Sequence, residues 1–475
     1  MADRYDLVIV GMGSGGMVAA DFAGTLGVKV AAVERSRVGG DCLWTGCVPS
    51  KALLASGKVA QHMRTADRFG IEPVEPRIDT AKVFERIRAV QARIAEMDDN
   101  AQRYVDMGIE VLFGAAALTG PHRVRVNGNG SGAARELETR FTLLCTGSRP
   151  AVPPIAGLEQ AGFQTSETVW DLERAPASLV LIGGGPIAIE MAQGFRRLGS
   201  EVTVLQKGPR VLTRDEPELV DALVEVLREE GVDVCLDVEA ERVTVENGRK
   251  VVHGTQAGEP RAWDADELIV GVGRRPNVEG LGLDALGVDV GPKGVKVDEA
   301  MRTTVSSVYA AGDLGGRYLF THSAGYEGVR ALRNMFFPGK GKVTDLVPWC
   351  TFTDPELAHA GLTSVEATER FGADDVKVYR QPLAHSDRAR AESATAGAIV
   401  IVTHKRRVVG AHVLAPAGGE MIHELALAID QSLKLEEVAS MIHVYPTYSI
   451  GIQQLAGEAA FESAQKYSWL VRKSR

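Results

Sequence analysis

The sequence predicts a mixed α/β protein with two strand–turn–helix domains and a C-terminal α+β domain. Two glycine-rich turns, at 11–16 and 183–188, each lie between a short apolar run and a helical pattern. A third observation is a change of pattern near Pro348, after which alternating runs replace the fully apolar ones. We therefore expect two parallel sheets, followed by antiparallel strands with helices beside them.

The first glycine-rich turn has every part of a dinucleotide-binding fingerprint. A four-residue apolar run at 7–10 is too short for a buried helix and predicts a central parallel strand. A helical pattern follows at 17–26, and the next strand, 28–33, ends at Glu34. The glycines allow the backbone to approach a pyrophosphate at the helix N-terminus, and the acid binds a ribose hydroxyl. The glycines of this Rossmann-like turn are Gly11, Gly13 and Gly16.

The second turn repeats the fingerprint with one change. Its small residues are Gly183, Gly184, Gly185 and Ala188. The strand at 201–205 ends at Gln206, 23 positions after the first glycine (206 − 183), and Glu34 stands at the same offset in the first motif (34 − 11). Gln206 is neutral and is followed by Lys207 and Arg210, which favours a 2′-phosphate and therefore NADPH over NADH. NADH stays possible, because both cations can instead be solvated surface charges.

Between the first strand pair and the next helix stands the stretch 39–51, GGDCLWTGCVPSK. Cys42 and Cys47 are five positions apart, which in an undistorted helix exceeds the span of a disulfide. We expect the chain to bend at Gly46 and a helix to start near Pro49, so that Cys47 lies at a helix N-terminus, which favours its thiolate. The stretch predicts a redox-active pair beside a flavin; two unrelated thiols or a structural disulfide are the alternatives.

Composition limits the classes of function. Hydrophobic content of 45% and charged content of 24% over 475 residues are typical of a globular protein of several domains. A net charge of −9 argues against nucleic-acid binding, and we expect neither a membrane span nor a resident metal site. With only five cysteines we expect a cytoplasmic protein, with Cys145, Cys235 and Cys350 as buried small hydrophobic residues.

The remaining patterns are assigned in chain order. Apolar positions spaced for one face of a long helix mark 81–106, and 121–145 predicts a hairpin with its turn at 127–133. A proline-rich run at 150–154 predicts a linker. The helix positions are Val83, Ile87, Val90, Ile94 and Met97.

In the second half, strands are expected at 268–270 and 308–310, and the latter leads to Gly312 and Asp313. Asp313 either holds a ligand at the strand end or caps the following helix. An antiparallel pair is expected at 397–402 and 407–414, and helices at 419–432 and 435–442.

Together these motifs resemble those of the class I pyridine nucleotide–disulfide oxidoreductases, the family of glutathione reductase, dihydrolipoamide dehydrogenase and mercuric reductase. The resemblance covers nearly the whole chain and rests on the ordered motifs at 11–16, 39–51, 146–150 (TGSRP), 183–188, 271–277 (GVGRRPN) and 310–313 (AAGD).

The resemblance implies a homodimer with FAD-binding segments at 1–150 and 271–347, an NAD(P)H-binding domain at 151–270 and a dimerisation domain at 348–475. It implies Cys47 as the thiol against the flavin and Cys42 as the thiol that meets the substrate. Lys51 and Glu190 match an ion pair beside the flavin. The implied FAD-site residues are Gly11, Gly13, Gly16, Glu34, Gly40, Lys51, Thr146, Gly147, Gly312 and Asp313. The implied nicotinamide-nucleotide residues are Gly183, Gly185, Gln206, Lys207 and Gly273.

The C-terminal region departs from the disulfide-reducing members. Their acid/base histidine is replaced by Tyr445 and its glutamate partner by Ile450, so we retain Tyr445 and His443 as candidate catalytic residues. Mercuric reductases resemble this sequence in having the tyrosine, although 461–475 lacks their cysteine pair. Trp44, between the thiols, either packs or limits access to them.

We therefore predict a mercuric reductase-like enzyme that carries electrons from NADPH through FAD and the dithiol to an acceptor. The acceptor is a metal ion, a quinone or a small disulfide. The alternatives are a dihydrolipoamide dehydrogenase-like reductase and, from another class, a flavin-binding redox sensor of low turnover.

Overall fold

The structure, a computed structural model, describes residues 3–129, 134–339, 341–465 and 468–469. The predicted α/β class is confirmed. The first part of the chain forms β1 (Asp3–Val10), α1 (Ser14–Leu26), β2 (Val30–Glu34), α2 (Gly40–Trp44), α3 (Cys47–Arg64), α4 (Thr80–Met97), α5 (Ala101–Asp106), β3 (Glu110–Gly120), β4 (Arg123–Gly128), β5 (Arg135–Leu144) and β6 (Ser148–Pro150).

The middle of the chain forms α6 (Leu158–Ala161), β7 (Ser178–Ile182), α7 (Pro186–Arg197), β8 (Glu201–Leu205), α8 (Pro217–Glu229), β9 (Val232–Cys235), β10 (Val238–Glu246), β11 (Arg249–Gln256), β12 (Glu259–Ala265), β13 (Glu267–Val270), β14 (Arg274–Pro276), β15 (Val290–Gly291), β16 (Gly294–Val295), β17 (Val308–Ala310) and α9 (Thr321–Phe336). The last part forms β18 (Trp349–Thr351), β19 (Glu356–Gly361), α10 (Ser364–Phe371), β20 (Val376–Pro382), α11 (Asp387–Ala391), β21 (Ala398–His404), β22 (Arg407–Ala415), α12 (Gly418–Asp430), α13 (Leu435–Val438) and α14 (Ile450–Gln465).

The first sheet has β1 at its centre, as the run at 7–10 predicts. β1 pairs in parallel with β2 and β5, β3 extends the sheet beyond β2, and β17 extends it beyond β5. Leu7, Val8 and Ile9 are fully buried because helices or further strands cover both faces. β4 pairs antiparallel with β5, which confirms the hairpin, although residues 130–133 of its predicted turn lie outside the described residues.

The second sheet is parallel, in the order β13-β7-β8-β9, and the antiparallel sheet β10-β11-β12 lies beside it. The third sheet is antiparallel, in the order β18-β19-β22-β21-β20, and contains the predicted pair as β21 and β22. Because β17 returns to the first sheet after the second is complete, the chain visits the first sheet twice. The boundaries proposed at 150, 270 and 347 stay predictions.

Four local expectations need correction. The helix expected over 81–106 is two helices, because α4 ends at Met97 and Asn100 starts α5 by accepting the N–H of Arg103 at 2.9 Å. Met97, assigned to its packing face, is exposed. The helix expected at 435–442 ends at Val438, and the linker at 150–154 begins in β6, which pairs antiparallel with β14.

The helix α3, which begins at Cys47, packs against α4 and α7. Leu53 on α3, Phe84 on α4 and Phe195 on α7 are fully buried in one apolar cluster, which also contains Val400 of the third sheet. Burial of each such side chain contributes roughly 1.5–3 kcal/mol. This shared core fixes α3 relative to the second and third sheets. None of the helices in the described ranges has the length and apolar character that crossing a membrane requires.

Candidate active site

The stretch 39–51, which contains Cys42 and Cys47, bends where the sequence predicts. α2 ends at Trp44, Gly46 is the N-cap of α3, and Cys47 is the first residue of that helix. The carbonyl of Asp41 accepts the N–H groups of Thr45 at 2.9 Å and Gly46 at 2.6 Å, which closes a tight turn between the helices. This turn brings Cys42 and Cys47 together although they are five positions apart, so their thiols can contact each other.

The two thiols, both free in the structure, have opposite character. The pKa of Cys47 is lowered to about 6, chiefly by the hydrogen bond from Cys42, then by Thr321 and by the charge of Lys51, while burial opposes the fall. The pKa of Cys42 is raised, because its proton is held against Cys47 and because the thiol is half-buried. Thr321 Oγ1 lies 3.4 Å from Cys47 Sγ. At neutral pH, therefore, Cys47 is the thiolate and Cys42 the thiol.

Lys51 and Glu190 form the expected ion pair. Lys51 Nζ, one helical turn after Cys47, lies 2.8 Å from Glu190 Oε2 on α7. Glu190 is buried, and its other oxygen accepts the N–H of Phe352 at 2.9 Å. The ammonium also lies 4.2 Å from the centre of the Phe352 ring. The pair thus joins α3 and α7 to the start of the third sheet.

The first glycine turn packs so closely against neighbouring backbone that side chains larger than glycine have no room there. Gly11 has φ +99°, and a Cβ there would lie 2.4 Å from the carbonyl oxygen of Cys145. A Cβ on Gly16 would lie 1.9 Å from the carbonyl oxygen of Gly11, and one on Gly40 would lie 2.6 Å from the Cα of Gly13. Gly13 is the N-cap of α1 and has no side chain to cover the first N–H groups of that helix.

Glu34 is fixed at the end of β2 beside this turn. Its carboxylate accepts the N–H of Met12 at 2.8 Å and that of Ser36 at 2.7 Å. An FAD pyrophosphate and ribose therefore fit the helix N-terminus and this acid.

Asp313 does not cap the helix α9 that follows it, so the capping alternative is wrong. It accepts a hydrogen bond of 2.5 Å from Ser148 Oγ, whereas the N-cap of α9 is Phe320. The preceding N–H, of Gly312, donates at 2.8 Å to the buried carboxylate of Glu327. The TGSRP and GVGRRPN motifs meet here, since Thr146 Oγ1 donates to the carbonyl of Asn277 at 2.8 Å. Gly147 and Gly273, with φ +67° and +134°, turn the chain at either end of this contact.

Arg274 is a residue that sequence reasoning missed. Its guanidinium contacts Asp41, donates to Ser148 Oγ at 2.6 Å and lies 3.5 Å from Asp313. Arg274 therefore links the residue before Cys42 to the Asp313 turn. Two adjacent arginines in GVGRRPN are equivalent in sequence, and only the pairing of β14 turns Arg274 inward while Arg275 stays exposed. Glu327 was missed as well, because nothing in its helical context marks it.

The second glycine turn repeats the contacts of the first. Gly183 has φ +111°, and Gly185 is the N-cap of α7. The N–H of Gly184 donates to Gln206 Oε1 at 2.9 Å, as the N–H of Met12 donates to Glu34. An amide thus occupies the place of an acid, as the equal offsets predict.

The cations beside Gln206 are paired. Lys207 Nζ lies 2.8 Å from Glu239 Oε1, and Arg210 lies 3.6 Å from Asp221. Both pairs are exposed, with Lys207 80% and Glu239 60% accessible. In the structure, Lys207 and Arg210 are therefore exposed surface charges paired with acids, as in the second interpretation of these cations.

Among the residues that the structure describes, neither Tyr445 nor His443 is hydrogen-bonded to Cys42 or Cys47. The Tyr445 hydroxyl donates to Asp387 at 2.7 Å. His443 Nε2 lies 2.9 Å from Glu424, and Nδ1 lies 3.2 Å from the carbonyl oxygen of Met441. With both ring nitrogens facing acceptors and the side chain buried, these contacts favour packing over proton transfer for His443.

The other cysteines agree with the expectation except for one. Cys145 and Cys235 are buried, whereas Cys350 is half-buried, with a pKa raised by burial and by nearby carboxylates. Trp44 packs, because its Nε1 donates to the carbonyl of Val38 at 2.8 Å and Arg37 covers its ring at 4.0 Å.

Comparison with known proteins agrees with this architecture. Residues 5–328 match the pyridine nucleotide-disulphide oxidoreductases, and 347–456 match the dimerisation domain of that family. A mercuric reductase of Bacillus cereus is 33% identical over 457 residues, which are 94% of this chain and 70% of that protein. A dihydrolipoyl dehydrogenase of Thermus scotoductus is 34% identical over 475 residues, 97% of this chain and 98% of the relative. The Cu(II) complex of the HOCl-induced flavoprotein disulfide reductase RclA from Escherichia coli superposes with a TM-score of 0.84 at 27% identity, over 96% and 99% of the two chains.

Proposed function

Since the chain belongs to the pyridine nucleotide-disulphide oxidoreductase family, we propose that it reduces a metal ion with electrons from NAD(P)H, delivered through FAD and the Cys42–Cys47 pair. Members of this family bind FAD and use NAD(P)H. FAD supplies the transfer of an electron pair from the nicotinamide to a disulfide. The observation that carries the proposal is the thiol pair of opposite character at the N-terminus of α3.

The protein's own residues account for the protons. A Cys42–Cys47 disulfide that takes up two electrons and one proton becomes the Cys42 thiol and the Cys47 thiolate, the distribution that the contacts of Cys47 stabilise. Lys51 and Thr321 hold that thiolate, and Glu190 holds Lys51. When the pair reduces a metal ion, the S–S bond forms again, two electrons pass to one ion or to two, and the proton of Cys42 goes to water.

A metal-ion acceptor fits the C-terminal segment better than a disulfide does. Reduction of a disulfide substrate releases thiolates that need protons, whereas reduction of a metal ion needs none. Asp387 raises the pKa of the exposed Tyr445, which makes it a weaker acid still at neutral pH. The relatives agree in part, because one is named a mercuric reductase and another structure is a Cu(II) complex.

We also propose a homodimer in which the segment 441–445 lies at the interface. Its apolar side chains are exposed in the single chain, with Ile442 at 91%, Val444 at 76% and Tyr445 at 63%. The match to a dimerisation domain includes this segment. Tyr445 is proposed to face the thiols of the second copy. A dithiol that cycles between two oxidation states suits a reducing compartment, and we propose the cytoplasm.

One contact favours the second candidate, a dihydrolipoyl dehydrogenase-like disulfide reductase. His443 and Glu424 form the kind of imidazole–carboxylate pair that serves acid/base catalysis, at 2.9 and 3.0 Å. This function requires His443 to release the carbonyl of Met441 so that one nitrogen can reach a thiol. A relative of nearly equal length has that activity in its name.

The test is anaerobic titration of the purified flavoprotein with NADPH, followed by turnover with Hg²⁺, Cu²⁺, lipoamide and glutathione disulfide. We expect a long-wavelength charge-transfer band at two electrons per flavin, absent in Cys47→Ser, and turnover with a metal ion. Cys235→Ser is the matched control, since its thiol is buried on the second sheet. Turnover with lipoamide but with neither ion would support the second candidate. Nucleotide oxidation no faster than the oxidase background with all four acceptors would instead indicate a redox sensor.

A further inference from the structure

We infer that Glu239, on a strand outside the second fingerprint, supplies the acid that Gln206 lacks and weakens the preference of this site for a 2′-phosphate. This inference rests on the proposed function, because it assumes that the turn at Gly183 binds NAD(P)H. It assigns a specificity-determining role to a residue that the fingerprint does not contain.

Glu239 is placed by backbone hydrogen bonds to the nucleotide loop. The N–H of Val238 donates to the carbonyl of Gln206 at 3.0 Å, and the N–H of Asp237 donates to that of Gly208 at 3.2 Å. β10 therefore begins directly against the segment 206–208. Glu239 is the second residue of this strand, which sets its carboxylate beside Lys207.

The resulting charges differ from those that the sequence of the loop suggests. Lys207 and Arg210 alone would present two positive charges to a bound nucleotide. Lys207 instead pairs with Glu239 at 2.8 Å, and Arg210 pairs with Asp221 at 3.6 Å. The net formal charge of these four side chains is therefore zero. Lys207 also lowers the pKa of Glu239, so the acid is ionised at neutral pH.

NADPH and NADH are expected to interact differently with these four side chains. A 2′-phosphate must compete with Glu239 for the ammonium of Lys207 and is repelled by the carboxylate. A 2′-hydroxyl, in contrast, can donate a hydrogen bond to an acid at this place, as it does to the acid of the usual fingerprint. Glu239 therefore acts against NADPH and in favour of NADH. The effect is small, because both partners are exposed and solvent screens them.

The test compares Glu239→Gln with wild type in the flavin-loaded protein, by calorimetric binding of NADP⁺ and NAD⁺ and by the ratio of kcat/KM for NADPH and NADH. We expect Glu239→Gln to tighten NADP⁺ binding about threefold to fivefold and to leave NAD⁺ binding equal or weaker. Lys207→Gln is expected to weaken NADP⁺ binding by a similar factor. In the Lys207→Gln background, the gain from Glu239→Gln should shrink, because no cation is left to release.

Glu241→Gln is the matched control, since it removes the same charge from the same exposed strand two residues further along. If Glu239→Gln leaves the NADP⁺/NAD⁺ ratio unchanged, or shifts it no more than Glu241→Gln does, Glu239 is not a specificity determinant. A wild-type protein that binds neither nucleotide would overturn the proposed function as well. Binding of both with an unmoved ratio would overturn only the role of Glu239.

Discussion

Removal of the Cys42 thiol is expected to raise the pKa of Cys47 and to take away most of its thiolate at slightly acidic pH. The structure attributes the fall of the Cys47 pKa from 9.0 to about 6 to three contacts, with Cys42 first, Thr321 second and Lys51 third. Because these three also overcome the opposing effect of burial, the largest accounts for at least about a third of the fall. In Cys42→Ala the pKa of Cys47 is therefore expected at about 7 or above.

The consequence is measurable near pH 6.5. There the thiolate fraction of Cys47 is expected to drop from about three quarters in the wild type to about a quarter or less in Cys42→Ala. The assay is the rate of iodoacetamide alkylation of the reduced protein between pH 5 and 9, with the modified thiol identified by peptide mass spectrometry. Thr321→Val should move the midpoint in the same direction by less. Cys235→Ala should not move it, because that thiol lies on the second sheet.

Two results would refute this reasoning. An alkylation midpoint for Cys47 that stays near 6 in Cys42→Ala would show that the thiol–thiol hydrogen bond does not lower its pKa. A wild-type midpoint near 9 would show that none of the three contacts does so. The first result would overturn only the proposed cause of the low pKa, whereas the second would overturn the assignment of Cys47 as the thiolate.

Three further predictions concern the flavin site and the C-terminal segment. Arg274→Gln is expected to weaken FAD retention about tenfold, because Asp313 loses its cation. FAD retention is measured by ultrafiltration and flavin fluorescence, with the exposed Arg275→Gln as the control that should retain FAD. Equal loss of FAD in both variants would contradict the role of Arg274. Burial raises the pKa of Glu327 from 4.5 to about 7, so the native state binds a proton more readily than the unfolded chain. This carboxyl therefore destabilises the protein progressively as pH rises from about 4.5 to 7, by up to about 3 kcal/mol above that range. Glu327→Gln should flatten that dependence in urea unfolding, and an unchanged slope would count against it. Tyr445→Phe should keep metal-ion turnover within about twofold of the wild type. His443→Gln should lower the free energy of unfolding by about 1–2 kcal/mol without slowing that turnover. A tenfold loss of turnover in either variant would show that the substituted residue transfers a proton in the reaction.

Much of the fold could be predicted because its signals are local. The apolar run at 7–10, the two glycine turns and the equal offsets to Glu34 and Gln206 each depend on residues within one strand–turn–helix unit. The start of α3 at Cys47 likewise follows from Gly46 and Pro49. The prediction of one long helix over 81–106 was wrong for a local reason too, since the capping ability of Asn100 outweighed the apolar spacing.

The partners of the site residues could not be predicted in the same way. His443 faces Glu424 instead of a downstream glutamate, and Lys207 faces Glu239 from another sheet. The ion pair of Lys51 and Glu190 joins residues 139 positions apart and was expected only through the family resemblance. No local spacing selects such partners, because their proximity results from the packing of separate sheets.

The sequence by itself determined the mixed α/β class and the two strand–turn–helix units with their glycine turns, and it predicted the pairing of Cys42 and Cys47. Backbone conformation and hydrophobic periodicity are short-range properties, because they depend on residues close together in the sequence. Only the tertiary structure decided which distant groups stabilise the charge on Cys47, since Thr321 lies 274 positions from that thiol and the packing of α3 against α7 brings Glu190 to Lys51. It also decided that Arg274 and not Arg275 faces Asp41, and that the cation beside Gln206 already has an acidic partner. Electrostatic environment is set by neighbours in space, and the fold brings those neighbours together from distant parts of the chain.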